Sequence, residues 1–469
     1  MNIKALRQKI LDLAIHGKLV PQDPNDEPAS VLLERIRAEK ERLIKEGKIK
    51  KPKKSKAACD KPHYPYELPK GWVWTTLGEI GSWQSGATPS RMNKDYYGGN
   101  IPWLKTGDLN DGTIIYIPEY ITQRALEETS VRLNPKGSVL IAMYGATIGK
   151  IGILSFPATT NQACCACYEY SINQMFLFYF LLANRENFIA MGGGGAQPNI
   201  SKEKIISTNM PLPPLKEQER IVEEIERWLS FVDIVEKEKS DLQLTICLAK
   251  SKILDLAIHG KLVPQDPNDE PASELLKRIN PKAVITCDNP QYGKLPKGWI
   301  LTKVKDVFSI NPKNKAETTQ AAGFIPMTNI CEGFKNQYSY ETKEWGKIES
   351  GFTHFADGDI AVAKISPCLE NRKSMVLGNL PNGIGAGTTE LHVFRPLCVD
   401  ALYGLYFFKS DCFIKNCVGT FNGVVGQQRV GKSIVKEIHF PLPPLTEQHH
   451  IVTKIEELFA QLDKIEASL

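Results

Sequence analysis

A long series of apolar residues in the middle of the chain recurs at alternating spacings of four and three. It runs through Ile221, Ile225, Trp228, Val232, Val235, Lys239, Leu242, Ile246, Ala249, Ile253 and Leu256, with one polar member. This heptad spacing predicts one continuous helix of the coiled-coil type. The prolines of Pro211–Leu215 stop any helix that enters from the N-terminal side, and Gly260 supplies a C-terminal cap. From about Lys216 to His259 the helix would be about 66 Å long at 1.5 Å per residue.

The two ends of the chain follow the same heptad frame. The apolar positions are Ile3, Leu6, Ile10 and Leu13 near the start, and Ile451, Ile455, Leu458, Leu462, Ile465 and Leu469 near the end. Because the C-terminal series stops where the N-terminal series would continue it, we expect the end segments to meet and form a second long helix. That helix would pack antiparallel to the central one about a pseudo-twofold axis. Two unrelated amphipathic helices on a globular core are the alternative, which leaves the shared frame unexplained.

Internal repeats explain why the frame recurs. The 22 residues of Lys9–Ser30 return unchanged as Lys252–Ser273. The sequence PLPPL, followed by x-E-Q-x-x-I-V-x-x-I-E, occurs after Met210 and again after Phe440, and LPKGW occurs at Leu68–Trp72 and Leu295–Trp299. These elements follow one another in the same order twice, so the 469 residues form two tandem copies of one unit.

The repeats also divide the chain into segments. Short apolar, β-branched runs between Gly, Asn and Pro turns predict strands in the two variable stretches, and residues 175–191 predict a helix packed on the sheet. The predicted fold class is α+β, with two mixed α/β domains separated by the long helices. The predicted segments are residues 1–67 (N-terminal helical region and Lys-rich linker), 68–210 (first variable domain), 211–294 (central helix and linker), 295–440 (second variable domain) and 441–469 (C-terminal helix).

Composition limits the class of protein without naming a function. With 42% hydrophobic and 24% charged residues, the chain resembles ordinary globular proteins. The net charge is only +5, so any nucleic-acid surface must arise from local clusters of charge. The longest apolar run, Met175–Ala183, is too short to cross a bilayer, and no signal peptide opens the chain, so we expect a cytoplasmic protein without a membrane partner. The 11 cysteines lack metal-binding spacing, which favours reduced, mostly buried thiols.

Similar frames with different surface residues, joined by matched helices, suit a protein that binds two half-sites of DNA at a fixed distance. Base edges and phosphates are contacted by Arg, Lys, Asn, Gln, Ser, Thr and Tyr side chains, which the variable loops contain. The candidate DNA-binding residues are Ser85, Thr88, Arg91, Lys94, Tyr96, Lys105, Thr106, Tyr144 and Gln197 in the first domain, and Lys313, Lys315, Asn329, Lys364, Arg372, Lys373, Gln427, Gln428 and Arg429 in the second. The run Lys45–Lys56 fits a phosphate-binding segment and a solvated linker equally.

One motif suggests an enzyme instead. Residues 426–433, GQQRVGKS, match the phosphate-binding loop G-x-x-x-x-G-K-S, which would make Lys432 the residue of a nucleotide hydrolase. The context argues against it, because Pro441 follows too soon for a long helix and the equivalent stretch at residues 196–203 lacks both glycines. We find no motif for methyl transfer or DNA cleavage and no metal site. His16 and His259 fall at helix ends, where we expect them to bond to backbone carbonyls.

The order of the repeats, LPKGW, GSVLIAMYGATIGKIG and PLPPLxEQxxIVxxIE together resemble the specificity (S) subunit of type I restriction-modification systems over essentially the whole chain. The resemblance implies a non-catalytic DNA-binding subunit whose two recognition domains each bind half of a bipartite double-stranded target. It also implies docking of two methyltransferase (M) subunits and, through them, restriction (R) subunits. S-adenosylmethionine, ATP and Mg would be bound by those partners and no cofactor by this chain.

Helix packing and subunit contacts are expected at the heptad positions Ile3, Leu6, Ile10, Leu13, Ile221, Ile225, Trp228, Val232, Val235, Leu242, Ile246, Ile253, Leu256, Ile451, Ile455, Leu458 and Leu462. The second copy departs from the first in its short linker after Ile279. The two contacts with partner subunits are therefore not expected to be strictly equivalent. A nucleotide hydrolase that uses Lys432 and a coiled-coil scaffold without DNA specificity remain the alternatives.

Overall fold

A computed structural model describes residues 2–47, 66–193, 198–286, 292–420 and 428–468. The chain forms two compact units, residues 1–238 (unit 1) and 239–469 (unit 2). Most of the Lys-rich run, as well as Gln197, Gln427 and Leu469, lies outside the described residues. None of the helices in the described ranges combines the length and apolar content needed to span a membrane.

The helices and strands of unit 1 follow the mixed α/β pattern that the sequence predicts. The helices are α1 (Ile3–Ile15), α2 (Ala29–Lys45), α3 (Leu77–Ile80), α4 (Gln123–Glu128), α5 (Gln174–Ala183), α6 (Arg185–Met191), α7 (Lys202–Ile206) and the first part of α8 (Leu215–Ile258). The strands are β1 (Val73–Thr76), β2 (Ser82–Ser85), β3 (Tyr97–Leu104), β4 (Gly112–Ile114), β5 (Tyr120–Ile121), β6 (Val139–Ala142), β7 (Ile151–Leu154), β8 (Thr159–Thr160), β9 (Cys164–Tyr168) and β10 (Asn209–Leu212).

Unit 2 has a similar order, beginning with the second part of α8 and, in its described ranges, without a counterpart of α4. Its further helices are α9 (Ala272–Ile279), α10 (Val304–Val307), α11 (Ala401–Lys409), α12 (Asp411–Val418), α13 (Lys432–Val435) and α14 (Leu445–Ser468). Its strands are β11 (Ile300–Lys303), β12 (Phe308–Ile310), β13 (Ala321–Ile325), β14 (Glu341–Glu344), β15 (Thr353–Ala356), β16 (Ile360–Ala363), β17 (Ser374–Val376), β18 (Ile384–Gly387), β19 (Leu391–Pro396) and β20 (His439–Leu442).

The described sheets of the two units share a core of strands but differ at their edges, with five and three strands in unit 1 and four and four in unit 2. Unit 1 contains sheets of order β2-β9-β6-β7-β4 and β5-β3-β8, and unit 2 contains β12-β19-β16-β17 and β14-β13-β18-β15. A separate antiparallel pair, β1 with β10 or β11 with β20, joins the start of each variable stretch to its end. Pro211 fits this pair because a two-stranded ribbon has free edges that tolerate its missing N–H.

The predicted long helix is confirmed, since α8 contains 44 residues and its ends lie within one residue of the predicted ones. The helix predicted for residues 175–191 is two helices, α5 and α6, which meet at Asn184. Helix α5 is apolar on all sides, and its residues from Phe176 to Leu181 are all buried. Such a helix is stable only inside a core, which explains its place against β6 and β7.

The repeated segments meet in each unit at one buried carboxylate. In unit 1, Glu217 accepts hydrogen bonds from the indole N–H of Trp72 at 3.0 Å and from the side-chain amide of Gln22 at 3.2 Å. In unit 2, Glu447 accepts the same bonds from Trp299 at 2.8 Å and from Gln265 at 3.1 Å. Both carboxylates are 1% exposed, and burial raises their pKa. We call these residues the glutamate node of each unit.

The glutamine next to the node glutamate positions a core helix. The Gln218 side-chain oxygen accepts from the backbone N–H of Asn173, the N-cap of α5, at 2.9 Å. Gln448 accepts in the same way from Asp400, the N-cap of α11, at 2.7 Å. The repeated Glu-Gln pair therefore links the repeated helices to the core of each variable domain.

A close backbone approach explains why glycine stands at the second position after α1 and after α8. Gly17 and Gly260 both have φ of +66°, and a Cβ at either position would lie 2.3 Å from the ring of Pro69 or Pro296. Only glycine fits this combination of positive φ and contact. His16 and His259 contact the carbonyls of Asp12 and Asp255 at 2.6 and 2.7 Å, which confirms the bonds expected for these two histidines.

Pseudo-equivalent ion pairs join the first repeated helix to the helix after PLPPL within each unit. In unit 1, Arg7 on α1 contacts Asp233 at 2.5 Å and Glu236 at 2.8 Å on α8. In unit 2, Lys250 on α8 contacts Asp463 at 2.5 Å and Glu466 at 3.5 Å on α14. The two helices of each unit thus pack together. The expected meeting of the chain ends involves both units and stays a prediction.

The buried face of the repeated helix overlaps the predicted heptad face only in part. Its buried residues are Ile10, Leu11, Ala14 and Ile15 in α1 and Leu254, Ala257 and Ile258 in α8, whereas Leu13, Ile253 and Leu256 are half-buried. The buried stripe of α1 is shifted because this helix also packs against α5. Along α8, the heptad residues Ile221, Ile225, Val232 and Ile246 are buried, but Trp228, Val235 and Leu242 are 42%, 39% and 37% exposed.

The cysteines of the described ranges are free thiols, as expected. Cys164, Cys165 and Cys167 are buried in β9, and burial raises the pKa of Cys165 to about 12. The described residues contain no cluster of His, Cys, Asp or Glu that could hold a metal ion.

We expect the glutamate node to stabilise each unit through hydrogen bonding as well as packing. Trp299→Phe keeps an aromatic ring but removes a donor to buried Glu447, which should cost roughly 1.5–3 kcal/mol beyond the packing loss. Trp345→Phe is the matched control, because Trp345 is buried and its indole N–H has no partner among the described residues. Urea unfolding of the full chain measures both; equal destabilisation would contradict the assigned role of the bond.

The buried Lys409 predicts a pH dependence of stability. Its ammonium donates to the carbonyls of Gly333 and Arg372 at 2.8 and 2.9 Å, and burial, followed by the charge of Arg372, lowers its pKa to about 7. Between about pH 7 and the unfolded pKa of 10.5 the unfolded chain binds more protons at this residue, so its contribution to stability rises with pH.

Lys409→Met should remove this rise in stability. The measurement is the urea midpoint of wild type minus that of the variant, which should increase from pH 7 to 9. The exposed Lys347 supplies the control variant Lys347→Met, which should follow the wild type. A wild-type minus Lys409→Met difference that does not change with pH would contradict the lowered pKa.

Candidate nucleic-acid interface

Two candidate basic residues of unit 1 meet at one carboxylate. Glu119 pairs with Lys105 and, at 3.0 Å, with Arg91. The guanidinium of Arg91 also lies 4.5 Å from the ring centre of Tyr97 and 5.0 Å from that of Trp103. The hydrogen bond from Lys105, more than that from Arg91, lowers the pKa of Glu119. Both cations therefore already have an anionic partner at the surface.

The other candidates of unit 1 lie around this group in the sequence. Lys94 is exposed, and Thr88 is exposed with its hydroxyl bonded to Gln162. The hydroxyl of Tyr96 donates to Glu128 at 3.1 Å. Those that are half-buried are Ser85, Tyr96 and Thr106.

A second loop site recurs at the same place in both units. Tyr144, 42% exposed, forms an isolated β-bridge with Asn199, two positions after Gln197 in the sequence. In unit 2 the equivalent bridge joins Ile365 and Arg429. The loop after the central strand β6 or β16 thus pairs with the loop that precedes α7 or α13.

Three candidate residues of unit 2, Lys364, Gln428 and Arg429, lie at this bridge. The backbone N–H of Ser366 donates to the Gln428 carbonyl at 2.8 Å, and that of Val430 donates to the Lys364 carbonyl at 2.9 Å. Arg429 binds Glu390 through two nitrogens at 2.8 and 3.0 Å, and this contact lowers the pKa of Glu390. The structure therefore brings Lys364, Gln428 and Arg429 together.

The remaining candidates of unit 2 separate into surface and internal groups. Lys313 and Lys315 are exposed between β12 and β13, and Asn329 is half-buried. Arg372 instead contacts its own unit: it pairs with Asp411, donates to the Lys409 carbonyl at 3.0 Å and lies 4.8 Å from the Phe334 ring centre. Lys373 donates to the Met327 carbonyl at 3.3 Å.

Lys432 does not lie in the setting of a phosphate-binding loop. It begins α13, which has four residues, and its ammonium donates to the Ile310 carbonyl at 2.9 Å. A phosphate-binding loop opens a longer helix whose first amides hold the phosphates. The pKa of buried His392 is lowered mainly by burial, and the nearby charges of Lys364 and Lys432 lower it further.

The acidic partners Glu119 and Glu390 were absent from the candidate residues. Glu119 lies 28 residues from Arg91, and Glu390 lies 39 residues from Arg429. No local spacing in the sequence indicates such pairs, because the tertiary fold brings together residues that are far apart along the chain.

The family model described as "Type I restriction modification DNA specificity domain" matches residues 69–244 and 296–469. The type I restriction enzyme EcoAI specificity subunit of Escherichia coli is 42% identical over 233 residues, which are 46% of this chain and 39% of that protein. The EcoKI specificity subunit of Escherichia coli strain K12 is 24% identical over 418 residues, 85% of this chain and 84% of that protein.

Alignment with the EcoAI subunit thus covers about two fifths of that protein. A chain solved in a study of complex assembly and conformational transition of the type I R-M system shares the fold, with a TM-score of 0.58 at 17% identity, and the match covers 86% of this chain and 94% of that one. The matched domain occurs twice, once in each repeat, and covers most of the residues. The chain therefore belongs to the family of type I restriction-modification specificity subunits.

Proposed function

We propose that this chain is the sequence-specific DNA-binding subunit of a type I restriction-modification complex. Each variable domain would recognise one half of a bipartite double-stranded target, with antiparallel conserved helices holding the domains apart. The observation that supports this most is the pair of basic loop clusters on matched frameworks. Arg91 with Lys105 in unit 1, and Lys364 with Arg429 in unit 2, lie on loops of similar scaffolds but differ in residue type and placement.

The chemistry of these clusters suits DNA. Arginine can donate two hydrogen bonds to guanine or to a phosphate, and lysine contacts phosphates. Glu119 and Glu390 already hold Arg91 and Arg429 by the same kind of bond that a phosphate would form. DNA would therefore exchange one anionic partner for another without reorganising the cation.

The first experiment identifies the DNA target sequence. Mapping methylated adenines in the host genome should give two defined half-sequences separated by a spacer. Methylation that follows one continuous sequence would contradict the bipartite model.

With the target known, Arg91→Ala should weaken binding of the assembled complex about tenfold or more, the effect of losing one specific base contact. The loss should depend on one half-site only, since altering that half-site removes the difference between variant and wild type. Arg124→Ala is the control, because Arg124 is exposed and paired with Asp95 and Glu128 in the same unit. Competition binding at fixed salt measures both variants, and equal losses would reject the assignment.

An apolar stripe on α8 supports docking of the methyltransferase subunit. Trp228, Phe231 and Val235 are 42%, 49% and 39% exposed and lie on one face of the helix. Two of them are heptad positions, whose usual role is helix packing. We infer that a helix of the methyltransferase subunit covers this stripe. Two such subunits, with restriction subunits bound through them, would complete the complex.

Charge on the stripe should prevent docking without unfolding the chain. We expect Phe231→Glu to lose co-elution with the methyltransferase subunit in size-exclusion chromatography. Its free energy of unfolding, measured in urea, should stay within about 0.5 kcal/mol of wild type, as for other surface changes. Ser240→Glu is the matched control, since Ser240 is exposed on α8 about 180° around the helix from Phe231. Loss of binding in both variants would place the docking surface elsewhere.

The chemistry of the complex is assigned to the partners. S-adenosylmethionine would be bound by the methyltransferase subunits, and ATP and Mg would be used on partner subunits, with this chain non-catalytic. The nucleotide-hydrolase alternative is disfavoured by the four-residue helix at Lys432, and the pure scaffold alternative by the basic loop clusters.

A further inference from the structure

The repeated segment of unit 1 contains an ion pair between a buried carboxylate and a half-buried arginine. A guanidinium nitrogen of Arg220 on α8 lies 2.6 Å from Oδ2 of Asp26, whose side chain is 4% exposed. The hydrogen bond to Asp26 raises the pKa of Arg220, with smaller contributions from the charges of Glu217 and Asp23. Three acidic side chains thus surround one guanidinium.

Unit 2 has the same acidic residues but a different cation position. Asp269 lies in the unchanged 22-residue repeat, and Asp266 and Glu447 complete the equivalent set. Where unit 1 has Arg220, unit 2 has His450, whose side chain is exposed. The Oδ2 atom of Asp269 is buried and has no hydrogen-bond partner among the described residues. The same oxygen in unit 1 is the one that accepts from Arg220.

A cavity of about 290 Å³ lies at this place in unit 2. Its lining includes Asp266, Asp269, Pro271, Trp299 and Pro444. The equivalent positions of unit 1 have the same residue types, so the two sites differ mainly in the arginine that enters one of them. The lining includes two carboxylates and an indole ring, which together suit a planar cation.

We propose that unit 2 contains a binding site for a guanidinium group, and that an arginine side chain of a bound protein occupies it. A buried carboxylate oxygen without a partner is costly, and a guanidinium that enters the cavity would remove that cost once the Asp269 carboxylate turns toward it. The occupant is a protein because the site belongs to the conserved helical framework, where the proposed function puts the methyltransferase subunit; this part rests on that proposal. The methyltransferase contacts of the two units then differ by one arginine.

Methylguanidinium, the head group of arginine, tests the site without any partner. Isothermal titration at low millimolar concentration should give one site per wild-type chain. His450→Arg should abolish it by restoring the internal pair, and Arg220→His should raise the number of sites to two. His449→Arg, which adds the same charge one position away, should keep one site. No saturable binding to wild type, or the same number of sites in all variants, would overturn the proposal.

Binding of the methyltransferase subunit tests the source of the arginine. His450→Arg should weaken that complex about tenfold or more, the effect of losing one charge-assisted bond, whereas His449→Arg should not. Equal affinities of the two variants would overturn the assignment to this partner. A wild-type chain that fails to bind the methyltransferase subunit would overturn the proposed function as well, whereas the methylguanidinium result would still decide the site itself.

Discussion

The glutamate node is the constraint on which the rest of each unit depends. One buried carboxylate, Glu217 or Glu447, joins a tryptophan from LPKGW and a glutamine from the 22-residue repeat to the start of a long helix. A buried carboxylate must be satisfied by donors, because leaving it unpaired is costly. The three segments therefore have to change together or not at all, which explains why these short sequences recur while the residues between them differ.

Beyond the node, charge can be exchanged as long as the contact is kept. Arg7 in unit 1 corresponds to Lys250 in unit 2, and both pair with acidic residues on the helix that follows PLPPL. A second ion pair holds the helix that follows α5 or α11, and in it the arginine and the acid exchange places between the two units. In unit 1 the arginine is on the helix, Arg185 with Asp111, whereas in unit 2 the acid is on the helix, Asp411 with Arg372. Diverged loops can thus remain on one framework.

The sequence predicted the long helix to within one residue at both ends because its stop signals, prolines before and glycine after, act locally. It predicted the repeat and the mixed α/β class for the same reason. It did not predict which face of the repeated helix is buried, since that depends on contacts with α5. Nor did it find Glu119 and Glu390, or distinguish internal Arg372 from surface Arg429, because these roles arise from pairs 28 to 39 residues apart.

The acidic partners of the candidate DNA-binding residues bear on specificity. Counterion release from phosphates makes binding strong but indifferent to sequence. Where Arg91, Lys105 and Arg429 are already neutralised by Glu119 or Glu390, part of that gain is cancelled, because DNA must displace a carboxylate. Binding at the proposed interface then depends more on correctly placed base contacts than on phosphate attraction alone. A net charge of only +5 is consistent with this arrangement, since a strongly basic surface would hold the chain on any DNA.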